Sequence, residues 1–439
     1  MEVRDPIHGA IRVSGSERDV VDHPFVQRLR GIRATGFAAM AFPSATHTRY
    51  GHCLGVMHLA GRAFDSAYQD WPFTSADARH RLRETVRLAA LCHDLGHSPF
   101  SHCTEFAMPP LADLQIPWLA RAESRKATHE DYTLAILANT DLCETLDQRT
   151  ASSARHVAAL ISGDIVVDDD FFVDGGLDHR RVLSQIVSSE LDVDRLDYLV
   201  RDAVFSGARY GQVDVDWLIS HMQAHPVEGH VTLGLDARAL YAFDDFLIAR
   251  HHMFLMVYFH HKSVVYEEIL KRFVREPGCA WTLSGDLDDY LFRDDTDLIA
   301  HLRRSDSEWA RRVVERRPFT RILEVHGAPD EVDLSAEAER LQAEGIDFIA
   351  AGSTGRLSRY ETYGQKRRKA PRIMVLERVP SAPRRQVQLP GLDAEPDVTA
   401  LANATRIFQR YADARRVARL FVPPEQLGRA EHVLGVKAP

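Results

Sequence analysis

A chain of 439 residues, 45% of them hydrophobic, is long enough for two or three packed cores and too apolar to stay unfolded. Its formal net charge of −9 argues against a general nucleic-acid-coating protein and leaves local basic patches as the only phosphate-rich contacts. Five cysteines without Cys-x-x-Cys spacing exclude a disulfide framework and a zinc finger, and read as reduced thiols.

No apolar leader follows Met1 and no run of about 18 apolar residues occurs later, so a cytoplasmic protein without a membrane partner is expected. From about residue 18 to 275 the apolar spacing is mostly helical. In Glu84-Thr-Val-Arg-Leu-Ala-Ala-Leu-Cys-His-Asp, Val86, Leu88 or Ala89, and Leu91 or Cys92 recur at helical spacing, and Gly96 follows as a stop. Ser98-Pro99 then reads as a new helix start, with serine as N-cap and proline at the first helical position. A sharp helix–turn–helix there would gather His93, Asp94, His97 and His102 around one corner. Gly163 to Gly176 is acidic and apolar by turns and reads as a loop. Ser189 to Val204 is a helix candidate, and Asp244 to Val274 a long, aromatic-rich one. After about residue 300 short β-like runs appear at Phe348-Ile-Ala-Ala, Arg372-Ile-Met-Val-Leu-Glu-Arg-Val and Leu420-Phe-Val. The expected fold is mainly α, with a helical core over residues 1–290 and a smaller α+β C-terminal region over 291–439.

The chemistry concentrates where His93 and Asp94 adjoin at the end of an apolar run. Burying such a pair is costly unless something ties the side chains together. A divalent metal does so, because imidazole nitrogen and carboxylate oxygen both ligate it. On a helix the two side chains project about 100° apart and can still converge on one ion over the helix end. Two further ligands are needed, with His52 and Asp194 as the best candidates. Spacing does not choose His52 over His47, or Asp194 over Asp192 or Asp197, and an isolated His-Asp dipeptide also reads as a plain capping pair. Asp194, Tyr198 and Asp202, four apart, form one stripe along a helix.

Five motifs occur in order: Asp5-Pro-Ile-His-Gly, Gln27-Arg-Leu-Arg, Phe42-Pro-Ser-Ala-Thr-His-Thr-Arg-Tyr-Gly-His-Cys-Leu-Gly-Val, His93-Asp-Leu-Gly-His-Ser-Pro-Phe-Ser-His and Asp192-Val-Asp-Arg-Leu-Asp-Tyr-Leu-Val-Arg-Asp. Together they resemble the HD-domain deoxynucleoside triphosphate (dNTP) triphosphohydrolases, nearest to bacterial members related to the mammalian enzyme that carries a sterile-alpha-motif domain. The resemblance covers roughly residues 4 to 275 and is weak beyond 300. It implies an HD-domain helical core and a reaction at the α-phosphate that releases deoxynucleoside and tripolyphosphate. It implies His52, His93, Asp94 and Asp194 as ligands of one divalent transition metal, Mn²⁺, Fe²⁺, Zn²⁺ or Ni²⁺, with Mg²⁺ able to accompany the nucleotide. It turns His97, His102 and His129 toward the phosphates, His102 as the proton-handling or attacking histidine and Glu105 as its support. Histidine suits that task, since its unperturbed pKa lets it donate a proton to a leaving 5′-oxygen near neutral pH. The resemblance further implies phosphate contacts for Arg49, Arg195 and Arg250, and sugar contacts for Tyr198, Tyr258 and Asp202. Its implied partners are a nucleoside triphosphate substrate, an allosteric nucleotide and further copies of the chain in a dimer or tetramer; nucleic acid is not favoured.

Three departures stand out. Ala34-Thr-Gly36 occupies the place of a sugar-reading Gln-Leu-Gly turn, Glu105 replaces an aspartate, and Arg195 replaces a lysine. Ala34 offers no side-chain hydrogen bond, so relaxed discrimination at the sugar is expected. It also keeps open an HD phosphohydrolase acting on another phosphoester, such as a nucleotide monophosphate, a cyclic nucleotide or single-stranded nucleic acid. A non-catalytic nucleotide sensor is the third reading, against which intact His102 and Arg49 speak. The dense basic run Gly364-Gln-Lys-Arg-Arg-Lys-Ala-Pro-Arg could hold a nucleotide or a strand, and equally reads as a solvated loop.

Overall fold

The computed structural model describes residues 1–119, 124–355, 373–376, 398–400 and 415–438, and the basic run at 364–372 lies outside the described residues. The fold is mainly α. It opens with a hairpin, β1 (Glu2–Asp5) and β2 (Gly9–Arg12), in which Asp5 Oδ1 accepts the Ile7 and His8 amides at 2.9 Å. A Ser14–Glu17 capping box starts α1 (Gly15–Val21), and α2 (Pro24–Arg28) follows. The core then builds from α3 (Arg49–Ala67), α4 (Ala76–Cys92), α5 (His129–Asn139), α6 (Asp141–Arg149) and α7 (Ala154–Ile161). Two-residue strands β3 (Val173–Asp174) and β4 (Leu177–Asp178) precede α8 (Arg180–Val187), α9 (Val193–Ser206) and α10 (Val215–Ser220). The antiparallel pair β5 (Met222–Val227) and β6 (His230–Asp236) leads into α11 (Leu240–Met253) and α12 (His261–Arg275).

Helix α3 is buried along nearly its whole length, because small residues let its neighbours come close. At Gly55 a Cβ would run into the Asp197 carboxylate of α9, so only glycine brings the two helices this near. Aspartate 192 caps α9 by accepting the Arg195 amide at 2.8 Å, which starts that helix four residues later than the sequence reading of Ser189.

Past α12 the chain forms α13 (Leu287–Tyr290), α14 (Asp295–Arg304) and α15 (Glu308–Val314). The strands β7 (Thr320–Gly327) and β8 (Ile349–Gly355) are joined across α16 (Ser335–Ala343). Two three-residue strands follow, β9 (Met374–Leu376) and β10 (Val398–Ala400). Last come β11 (Arg415–Val422), antiparallel to both β7 and β8 and lying between them, and α17 (Leu427–Leu434). The β-like runs at 348 and 420 therefore lie in β8 and β11, in the α+β C-terminal part.

The run at 372–379 supplies β9 at Met374–Leu376, which runs parallel to β6 of the core, with Ile373 and Val375 buried in the main apolar cluster. Two sequence readings need correction. The serine of Ser98-Pro99 is not an N-cap. Its hydroxyl donates to the Ser101 carbonyl at 3.0 Å, Phe100 and Ser101 take left-handed backbone angles, and a 3₁₀ helix starts only at Ser101. The helix expected over 244–274 is broken, since α11 stops at Met253, a π turn spans Phe254–Tyr258, and α12 begins at His261. Among the described residues no helix is long and apolar enough to cross a membrane.

One buried arginine ties the later helices to the turn after α4. Arg28 donates to the carbonyls of Tyr290 at 3.0 Å, His97 at 2.8 Å and Arg293 at 2.5 Å, and its guanidinium lies 4.3 Å from the centre of the Tyr290 ring. Arg28→Met keeps the stem but strands three acceptors, so it is expected to cost about 3 kcal/mol of stability. A urea melt followed by circular dichroism measures this, and an unchanged midpoint would show the clamp to be dispensable.

Candidate functional site

His93 is the C-cap of α4, set there by an apolar helix face, and Asp94 continues the turn. That turn is tight at Gly96, where a Cβ would collide with the His129 carbonyl. It is pinned from two sides: Gly96 donates its amide to Thr133 Oγ1 at 3.0 Å, and the Tyr290 hydroxyl donates to the Gly96 carbonyl at 2.8 Å. His52 lies in the first turn of α3 and Asp194 in the first turn of α9. The four side chains converge. His52 Nε2 is 3.1 Å from Asp194 Oδ1 and 3.6 Å from Asp94 Oδ2, while His93 Nε2 is 3.3 Å from Asp94 Oδ1 and 3.6 Å from Asp194 Oδ1.

The far nitrogens of the two rings are tied back. His52 Nδ1 bonds to Asp197 Oδ2 at 2.8 Å, and His93 Nδ1 to the Ala90 carbonyl at 2.8 Å. Carboxylate and carbonyl oxygens only accept, so each Nδ1 carries a hydrogen and each Nε2 is aimed inward. Nε2 of His93 is buried with no hydrogen-bond partner. Burial opposes charge on His52, yet its bonds to Asp194 and Asp197 and the charges of Asp197 and Asp94 raise its pKa to about 10. Burial likewise opposes ionisation of Asp94, but Arg49, His93 and His97 outweigh it and hold the carboxyl well below its usual range. The pocket thus favours positive charge at its centre. His52, His93 and Asp94 group closely enough to share one ion, Asp194 Oδ1 lies 3.1 Å and 3.6 Å from the two imidazoles, and this donor set around an orphaned nitrogen fits a divalent transition metal.

Of the alternatives that spacing left open, the others serve elsewhere. Asp192 caps α9, Asp197 lies behind His52, and His47 bonds to Asp202. Asp197 also holds Arg201 at 2.8 Å and His8 at 2.6 Å, so the N-terminal hairpin is latched onto this network.

Beside the pocket stands a second cluster. His97 Nε2 approaches Asp94 Oδ1 at 3.2 Å, its ring stacks on His129 at 4.0 Å, and His102 meets it edge-on at 4.7 Å. Glu105 grips both outer histidines, with Oε2 3.1 Å from His102 Nδ1 and Oε1 2.8 Å from His129 Nδ1. Burial opposes its ionisation, but those two bonds prevail and keep it ionised well below the usual range. Burial, reinforced by the charges of Arg49 and His129, pushes His97 far below the ordinary imidazole value and keeps it neutral. His97 is only 2% exposed, whereas the His102 side chain is 64% exposed. Arg49 donates to Asp94 and, at 2.7 Å, to Ser101 Oγ.

Along α9 the stripe from Asp194 reaches Tyr198 and Asp202. The Tyr258 hydroxyl donates to Asp202 Oδ2 at 2.6 Å, and the Tyr198 and Tyr258 rings meet edge to face at 6.2 Å. Arg250 is buried on α11, and its charge, with that of Arg195, works against the burial that raises Tyr198. The guanidinium of Arg195 is held by the Asp192 carboxylate and the Ser189 carbonyl. Sequence reasoning passed over Asp197, His8 and Arg201 as supports, and His47 as the partner of Asp202. Only the four-residue step from Asp197 to Arg201 hinted at a helix-face pair.

Comparison with known proteins places this geometry. Residues 49–202 match the HD domain, and 213–347 the HD associated region. An uncharacterized protein of Methanocaldococcus jannaschii is 26% identical over 321 residues, 73% of this chain and 59% of that protein. The human deoxynucleoside triphosphate triphosphohydrolase SAMHD1 is 32% identical over 213 residues, 46% of this chain and 32% of that enzyme. The first of these is typical of several, in that the chain spans a little over half the length of such relatives. A crystal structure of a hypothetical protein from Aquifex aeolicus is similar over 99% of both chains, with a TM-score of 0.72 and 26% identity. With its His-Asp pair at a helix end inside the HD match and the HD associated region following in sequence, the chain belongs to the HD-domain proteins.

Proposed function

We propose that this protein is a metal-dependent phosphohydrolase that cleaves dNTPs at the α-phosphate, releasing deoxynucleoside and tripolyphosphate. The observation that carries the reading is the orphaned, buried Nε2 of His93, facing His52, Asp94 and Asp194 next to a carboxylate-oriented histidine pair. His52, His93, Asp94 and Asp194 would hold one divalent transition metal, which when bound supplies Lewis-acid stabilisation of phosphate charge. The other roles belong to the chain itself. Glu105 accepts a hydrogen bond from Nδ1–H of His102 and stabilises its imidazolium form, whose Nε2–H hands a proton to the departing 5′-oxygen as water adds to the α-phosphorus and the P–O5′ bond breaks. His129, on the same carboxylate, offers a second donor, and neutral His97 packs beneath both. Arg49 and Arg250 bring charge for phosphate oxygens, and Tyr198, Tyr258 and Asp202 form the sugar side. Arg195 would reach phosphate only by leaving Asp192.

The second reading, hydrolysis of a different phosphoester, is favoured by Ala34, whose methyl group cannot read a sugar hydroxyl. Purified protein incubated with each nucleotide class and several metals separates the two. Tripolyphosphate from dNTPs is the expected product; release of inorganic phosphate from monophosphates or cyclic nucleotides, with triphosphates untouched, would transfer the assignment to the second reading.

A further inference from the structure

His47 has no part in the phosphate chemistry, yet it is held in a specific and costly way. Its carbonyl accepts the Ala34 amide at 3.1 Å, and Arg33 and Thr48 form a β-bridge beside it, so the segment at 33–34 runs alongside the approach to α3. The imidazole stacks on Phe205 at 4.6 Å, and its side chain is 4% exposed. Nε2 lies 2.7 Å from Asp202 Oδ1. Nδ1 is buried and has no hydrogen-bond partner. An apolar side chain would fill the same space without a stranded polar atom, whose burial costs roughly 1–3 kcal/mol. Packing alone therefore does not call for histidine here.

What the ring does is immobilise Asp202. The Tyr258 hydroxyl, set in place by the π turn, binds the other carboxylate oxygen at 2.6 Å. The carboxylate is thereby fixed from both sides, and each oxygen keeps a lone pair for a further donor. Ala34, next to His47 in the backbone pairing, contributes only a methyl group. We propose that His47 is a positioning residue for sugar recognition: by clamping Asp202 it sets the discrimination between nucleotides that bear a 3′-hydroxyl and those that lack it. This rests on the reading of Asp202 and Tyr258 as the sugar side of the site.

The test compares dATP with 2′,3′-dideoxyATP on the full chain and on His47→Leu, His47→Gln and His47→Asn. Binding is measured by calorimetry on metal-depleted protein, where turnover does not intervene, and kcat and KM on the metal-loaded enzyme. Gln can place its amide where Nε2 stands, whereas Asn reaches only the Nδ1 position. Wild type is expected to prefer dATP about tenfold, the worth of one fixed hydrogen bond. His47→Leu and His47→Asn should lose that preference through weaker dATP binding and a higher KM, with kcat and dideoxyATP affinity nearly unchanged. His47→Gln should restore it. If His47→Leu does not fold, the contrast between Gln and Asn decides. Equal preference in all four proteins, equal losses for both nucleotides, failure of Gln to rescue, or a wild type with no preference would each overturn the proposal. Preferential binding without hydrolysis of any triphosphate would instead sink the hydrolase reading and leave this one standing.

Discussion

Replacing His93 and Asp94 together by alanine is expected to take the metal content from about one ion per chain to background and to abolish phosphate release. The double change removes one nitrogen and one carboxylate from a four-donor set whose members lie 3.1–3.6 Å apart. It leaves His52 and Asp194, too few donors to retain a transition metal at working concentrations. The effect is large because two donors are lost at once, while His52 Nδ1 is already tied to Asp197. Elemental analysis of the purified variant, with circular dichroism to confirm folding, measures the outcome. Unchanged metal content would mean that the ion binds elsewhere.

His102→Ala is expected to keep metal and nucleotide binding while losing about 10²-fold or more in kcat, the usual consequence of deleting a proton-transfer group. The hydrogen bond of the His102 ring goes to Glu105, outside the Asp94 pocket, and His102 is the most exposed of the three clustered histidines. Removing this exposed ring costs only its edge-on contacts with His97 and His129 and none of the four proposed metal ligands, which isolates the chemical step. The same geometry makes Glu105→Gln informative, since an amide can no longer accept from both His102 and His129 as a charged group does. Single-turnover kinetics with binding measured separately distinguishes the cases. Near-normal kcat in His102→Ala would move the proton to His129, which shares the carboxylate.

Much of this site was legible before folding was considered. The apolar spacing through Val86, Leu88 and Leu91 placed His93 and Asp94 at a helix end, and Gly96 marked the turn that gathers His97 and His102 beside them. These are local features, and local features follow from periodicity and from the backbone needs of glycine. The boundary errors had equally local appearances and non-local causes. Ser98-Pro99 looks like a helix start, yet the Asp295 carboxylate, far along the chain, accepts the Phe100 amide at 2.6 Å and bends the backbone into left-handed angles. The aromatic run at 244–274 is continuous in composition, but a π turn interrupts it and puts the Tyr258 hydroxyl on Asp202.

By itself, the sequence determined a mainly helical chain, the helix that carries His93 and Asp94, and the small set of histidines and aspartates able to complete a metal site. Spacing left the choice among them open, and the tertiary structure is what brings His52, His93, Asp94 and Asp194 together. His47 and His52 are five residues apart, and Asp192, Asp194 and Asp197 lie within two turns of each other, so each has the right chemistry at nearly the same place in the chain. The packing of α3 against α9, possible because Gly55 leaves room for Asp197, turns His52 toward Asp194 and His47 toward Asp202. Ligand choice is a matter of where side chains from different helices point in space, and that direction is set by helix contact, which no spacing along one segment encodes.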